Sequence, residues 1–198
     1  FIGDGMGVNQ VNAAETYLGA LQGRIGIEPL CFPSFPYTAL VNTQSATNGV
    51  TDSAAGGTAL ACGKKTKNGT LGMLDDLTTS ITSIADWARH SGAAVGIATS
   101  VAIDHATPAA FYAHVKERHE QYTIGKQLVA SQNDFYAGSD FTMPNDPEYP
   151  NAPSLYKEAA DNGFTIARGY ADYQDKAKGV GRMILLQTDE ANKIDHYS

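Results

Sequence analysis

Short apolar runs alternate along the chain with longer stretches in which apolar positions recur every three or four residues. The runs predict strands at Tyr37 to Asn42, Ala93 to Thr99, Asp134 to Ala137, Phe164 to Ala167 and Arg182 to Gln187. The periodic stretches predict helices at Asn9 to Ala20, Ser53 to Cys62, Ser80 to His90, Pro108 to Lys116, Thr123 to Ser131 and Ser154 to Asn162. Strands and helices in alternation are the signature of a mostly parallel sheet covered on both faces, an α/β three-layer sandwich. The helix from Ser80 gathers Ile81, Ile84, Ala85 and Ala88 on one face and meets Gly92 as its stop. It reads as scaffold, with Trp87 expected in the core or at an interface. Asp140 to Pro153 is rich in Pro, Asn and Asp and reads as a surface loop; no repeat and no linker interrupts what is expected to be one domain.

Three segments break the apolar pattern with chemistry. In Val50-Thr51-Asp52-Ser53-Ala54-Ala55-Gly56-Gly57-Thr58-Ala59-Leu60-Ala61, extended-favouring residues run into a helix of small residues with a serine at the transition. The first amides of such a helix are unpaired donors and its positive end attracts anions beside the serine oxygen, which suits a nucleophile. The same residues also read as a plain N-cap on a buried helix. Phe1-Ile2-Gly3-Asp4-Gly5-Met6-Gly7-Val8 reads as a buried strand's end entering a glycine turn, with the Asp4 carboxylate at the strand's C-terminal edge. In Val101-Ala102-Ile103-Asp104-His105-Ala106-Thr107-Pro108, a loop bearing Asp, His and Thr precedes a Pro-started helix expected to deliver Arg118. Alone, Arg118 reads as a helix-end cation, and Thr107 as the N-cap ahead of Pro108.

Composition narrows the classes. With 198 residues, 42% hydrophobic, the chain is long enough for one sizeable core, and its net charge of −7 opposes a nucleic-acid partner. Lys64, Lys65 and Lys67 form the one tight basic run and read as a solvated loop, with local attraction of phosphate as the other meaning. No apolar stretch approaches the length of a membrane span, and the chain opens inside an expected strand, so any export signal is expected to be already gone. Cys31 and Cys62 could pair, yet Cys62 sits in a small-residue helix and reads as a buried thiol.

The Ile-Gly-Asp-Gly-Met-Gly turn, the Thr-Asp-Ser-Ala-Ala segment followed by Gly63-Lys64-Lys65-Thr66-Lys67-Asn68-Gly69, and the Asp-His-Ala-Thr-Pro-Ala-Ala segment occur in the order seen in the alkaline phosphatase family. The chain resembles that family from Phe1 to about Arg118, and more loosely at Asp134-Phe135-Tyr136-Ala137-Gly138-Ser139. The resemblance implies the family's fold and hydrolysis of phosphate monoesters through a phosphoserine, with two zinc ions and one magnesium as cofactors. It implies Ser53 as nucleophile and zinc ligand, Arg118 as the phosphate clamp, and Asp52 as the group that orients Arg118. It implies Asp4 as the carboxylate bridging a zinc and the magnesium, Thr107 as a hydroxyl ligand of the magnesium, and His105 in that ion's outer shell, where some members carry aspartate. A periplasmic or secreted location and a homodimer also follow from the resemblance alone. His90, His114 and His119 match no motif and are expected on helix surfaces.

The family takes most of its zinc ligands from a second half of the chain, which this sequence is expected to lack, so that it is truncated at both ends and inactive in isolation. Glu190, Asp195 and His196 match one of the missing segments in part, and Thr188 to Ser198 reads equally as a charged loop. Two rival functions stay open: a non-catalytic phosphate-binding or interaction domain derived from the enzyme, and another superfamily hydrolase such as a phosphodiesterase or sulfatase. Asp52-Ser53-Ala54 favours the monoesterase over the latter.

Overall fold

The computed structural model describes residues 1–190, which fall into two compact units, Phe1–Asn42 and a second that begins at Thr43. In the first unit, helix α1 (Val8–Leu21) is followed by a chain that doubles back on it and by a short 3-10 helix at Phe32–Ser34. Glu15 is buried on α1 because it has partners: its carboxylate accepts from the Leu30 amide at 2.9 Å and its carbonyl from the Glu28 amide at 2.9 Å. Neither strand expected here forms. Phe1 and Ile2 are exposed, and Tyr37, Leu40 and Val41 run irregularly with exposed side chains. An apolar run becomes a strand only beside a pairing neighbour, and this unit contains none.

The second unit is built on a parallel four-stranded sheet of order β1-β2-β4-β3, with β1 Gly96–Ala98, β2 Phe135–Gly138, β3 Thr165–Arg168 and β4 Met183–Leu186. The central strand β4 is the unbroken apolar run Met-Ile-Leu-Leu, as a parallel strand covered on both faces must be. The helices are α2 (Ser53–Cys62), α3 (Ile84–His90), α4 (Ala106–Ala109), α5 (Gln121–Ala130), α6 (Leu155–Asp161) and α7 (Gly169–Lys176). Alanines of α2 and α4 merge with Ile103, Ile124, Leu128, Tyr136, Leu155 and Ile184 in one continuous core.

Two expected helices are shortened and one helix forms that the pattern does not predict. The helix expected from Ser80 starts at Ile84, because Ser83 and Asp86 cap each other's amides and Ser80 is engaged in a bridge with Met73. Its apolar face is only partly covered: Ala85 is buried, while Ile84 and Trp87 are exposed. The helix expected at Pro108 to Lys116 is instead the single turn of α4, because Val115 leaves to exchange both backbone hydrogen bonds with Leu71, at 2.9 and 3.0 Å. Helix α7 went unpredicted because its sequence, GYADYQDK, carries no apolar stripe. The 140–153 segment is irregular as expected, but Phe141 inserts from it into the core against Tyr156.

Candidate active site

The site forms around the start of α2. Asp52 is extended (φ −101°, ψ 177°) and caps the helix, one carboxylate oxygen accepting from the Ala55 amide at 2.9 Å. Its second oxygen accepts from the Gly69 amide at 3.0 Å and from an Arg118 Nη at 3.3 Å. Ser53 is the first helical residue and half-buried. Gly63 ends α2 in the left-handed region (φ 68°), turning residues 64–69 back over the helix start. There Asn68 accepts from the Asp52 amide at 3.4 Å and donates to the Val50 carbonyl at 2.9 Å. Lys64 and Lys65 are exposed on this return, as a solvated loop should be, and Lys67 pairs with Glu117 at 3.3 Å.

Helix α4 lies against α2 at Gly57, where a Cβ would meet that of Ala110 at 3.0 Å and the Thr107 backbone at 3.5 Å. This close approach brings the 101–107 segment to the start of α2. Arg118 joins the two: its amide donates to the Gly69 carbonyl at 2.7 Å, and the second Nη donates to His105 Nε2 at 3.2 Å. A guanidinium offers only donors, so Nε2 must accept, and the ring proton sits on Nδ1. Arg118 occupies a turn and not a helix end, as the shortening of α4 requires. The N-cap of α4 is His105, two positions before the cap expected at Thr107, which lies inside the helix.

Asp104 is fully buried and accepts from the Thr142 amide at 2.8 Å and the Thr142 hydroxyl at 2.7 Å. Burial pushes its carboxyl above the usual range, opposed by the Thr142 bonds and by the amides of Asp104 itself and Met143. Asp4 belongs to the first unit and lies exposed in a turn whose Gly5 has φ 66°. His114 is off any helix and half-buried, with Nδ1 2.7 Å from the Gly72 carbonyl; His119 is exposed in a turn, and His90 is exposed on α3. Cys31 and Cys62 are free thiols, the second held 3.8 Å from the Ile81 carbonyl. Glu190 is exposed, and Asp195 and His196 lie outside the described residues.

The structure thus brings together Asp52, Ser53, His105, Thr107 and Arg118 within one unit. Asn68, Gly69 and Thr142 also build the site, and sequence reasoning assigned them no role; an Asn-Gly turn dipeptide after the helix stop was the available signal for the first two. Among the described residues, no group of three or more His, Cys, Asp or Glu could hold a metal ion. His105 as arranged spends its Nε2 lone pair on Arg118, so the donor set present does not make a zinc shell.

Fold and site together define a parallel α/β protein with an anion-receptive helix start, clasped by an arginine and its carboxylate partner. The alkaline phosphatase family profile matches residues 1–137. The tissue-nonspecific alkaline phosphatase of Gallus gallus is 38% identical over 172 residues, covering 82% of this chain and 30% of that protein. The alkaline phosphatase of Gadus morhua is 32% identical over 211 residues, covering 90% and 44%. Among solved structures, a variant of the alkaline phosphatase of the Antarctic bacterium TAB5, with magnesium bound in its M3 site, superposes with a TM-score of 0.78 at 29% identity. That superposition covers 94% of this chain and 51% of the other. The chain belongs to the alkaline phosphatase family, and spans less than half the length of these two curated relatives.

Proposed function

We propose that this chain carries the phosphoryl-accepting part of a metal-dependent phosphate monoester hydrolase, with Ser53 as the acceptor. The observation that carries the reading is the Asp52–Arg118–His105 arrangement at the N-terminus of α2, where Ser53 is the first helical residue. In the proposed reaction the Ser53 oxygen bonds to phosphorus as its hydroxyl proton leaves, and the ester oxygen departs as an alcohol after taking a proton. Water then displaces the serine oxygen from phosphorus, which regenerates Ser53 and frees phosphate. Arg118 presents a planar fork whose orientation is set from both sides, by Asp52 and by His105, and the positive end of α2 adds to the attraction for phosphoryl oxygens.

Two zinc ions and one magnesium are the proposed cofactors, with Ser53, Thr107 and, on family membership alone, Asp4 as ligands that need further partners, and His105 in the magnesium's outer shell. The 198 residues alone are accordingly proposed to have at most trace turnover. Small phosphate monoesters as substrates, a periplasmic or secreted location and a homodimer are proposed on family membership. No helix among the described residues is long and apolar enough to cross a membrane. The second reading is a non-catalytic phosphate-binding domain, in which Arg118 and the start of α2 hold phosphate without turnover.

Arg118→Lys tests the clamp, since it keeps the charge and loses the fork. A loss on the order of 1–3 kcal/mol is expected, read as weaker inhibition by inorganic phosphate together with slower turnover when zinc and magnesium are supplied. Unchanged inhibition and turnover would reduce Arg118 to a structural ion pair. Phosphate binding that weakens in a protein without metal-dependent turnover would favour the second reading.

A further inference from the structure

We infer that Thr142 is a positioning residue for the phosphate clamp, acting through Asp104 on the loop that presents His105 to Arg118. The inference rests on the reading of Arg118 as the group that binds phosphoryl oxygens.

Two loops leave the C-terminal ends of adjacent strands β1 and β2 and are stitched together. The Ser139 amide donates to the Val101 carbonyl at 2.9 Å, and the Ile103 amide to the Asp140 carbonyl at 3.0 Å. The stitching begins at Gly138, where a Cβ would stand 2.6 Å from an Ile103 methyl and 2.7 Å from the Val101 carbonyl oxygen. Tyr112 adds a bond from its hydroxyl to the Ile103 carbonyl at 2.6 Å. At the far end of the first loop stands Asp104, fully buried, with the Thr142 hydroxyl and amide on its carboxylate. A buried carboxylate stripped of its donors is driven toward water, and this one cannot move without its neighbour.

That neighbour is His105, whose backbone begins α4 and whose Nε2 accepts from Arg118. The Thr142 hydroxyl therefore lies three links from the guanidinium: through Asp104 by hydrogen bonds, through one peptide to His105, and through the imidazole to Arg118. Asp140, which precedes Thr142 by two positions, is in turn anchored by Arg168 at 2.8 Å and by the Tyr156 hydroxyl at 2.8 Å, so the loop that donates to Asp104 is itself held.

The experiment follows the His105 ring nitrogens by long-range proton–nitrogen NMR on the 198-residue chain with a chelator present, and then titrates inorganic phosphate while observing the Arg118 side chain. The parent chain should show the Nδ1-protonated tautomer. Thr142→Val, at an exposed position that opens no core, should lose that single tautomer and weaken phosphate binding by about fivefold, the equivalent of one net hydrogen bond. Thr142→Ser, which keeps the hydroxyl, should retain both signals. Asp104→Leu, which removes the acceptors without leaving a charge in the core, should reproduce the Thr142→Val tautomer change. An unchanged tautomer in both Thr142→Val and Asp104→Leu overturns the inference. Absence of any phosphate response at Arg118 in the parent chain sinks the functional reading instead, while the tautomer still decides whether Thr142 positions His105.

Discussion

Asp52 is asked to do three things at once, so Asp52→Ala should be costly out of proportion to its partly exposed position. The substitution removes the cap on the Ala55 amide, 2.9 Å from one carboxylate oxygen, worth about 1 kcal/mol. It also strips the Gly69 amide, 3.0 Å from the other oxygen, of its acceptor at a buried residue, which costs about 1–3 kcal/mol. The Arg118 pair at 3.3 Å, with both side chains about a quarter exposed, adds at most about 1 kcal/mol and is left out of the sum. The expected loss is about 2–4 kcal/mol, a fall in melting temperature of about 4–16 °C for a chain of this size. Asp52→Asn keeps the cap but turns an amide toward either Gly69 or Arg118, and should fall between the two. Thermal unfolding by circular dichroism gives the magnitude, and native-state hydrogen exchange gives the place: the Ala55 and Gly69 amides should lose protection in Asp52→Ala. A variant melting within about 2 °C of the parent, with both amides still protected, would refute the claim that this carboxylate ties the helix start to the returning loop.

At the α2–α4 contact, Gly57→Val should destabilise the chain by about 1–3 kcal/mol, because the added methyls enter space held by Ala110 and the Thr107 backbone; a melting temperature equal to the parent's would contradict the packing. Burial, and secondarily the negative charge of Asp86, pushes the Cys62 thiol up to about 11 from its ordinary 9.0. A raised pKa favours the protonated form in the folded state, so its stabilising contribution is complete below pH 9 and disappears as pH rises from about 9 to about 11. Denaturation midpoints across that range should decline less steeply in Cys62→Ala, and at pH 8 a thiol reagent should label exposed Cys31 well before Cys62.

What the sequence made legible follows the range of the interactions responsible. Helix α2 forms with the expected bounds because both ends are written locally, in the Asp52 cap and in the left-handed Gly63. Strand β4 was readable because four consecutive apolar residues bounded by polar ones suit a covered strand. Tyr37 to Asn42 is just as apolar in places, yet a strand also needs a neighbour, which no local pattern reports. Helix α4 stopped early for a similar reason: Val115 is claimed by Leu71, 44 positions away, and that competition leaves no mark in the helical period.

The site divides along the same line. Asp52, Ser53, His105 and Arg118 were picked out by motif, and the structure places them in one cluster. Gly69 reaches Asp52 across 17 positions through its backbone amide, which almost any residue could supply, while the Asn68 side chain reaches the Asp52 amide across 16 and the Thr142 hydroxyl and amide reach Asp104 across 38, pairings that no local pattern reports.

Phosphoryl transfer to Ser53 is the central claim, and trapping the intermediate tests it most directly. A protein carrying this segment with its metal shell complete is supplied with zinc and magnesium and mixed with a phosphate monoester at acid pH, where release of phosphate from the serine should be slow. Quenching, digestion and peptide mass analysis should then find the phosphoryl group on Ser53, and none in Ser53→Ala. Label on any other residue, or full turnover by Ser53→Ala, would contradict the account.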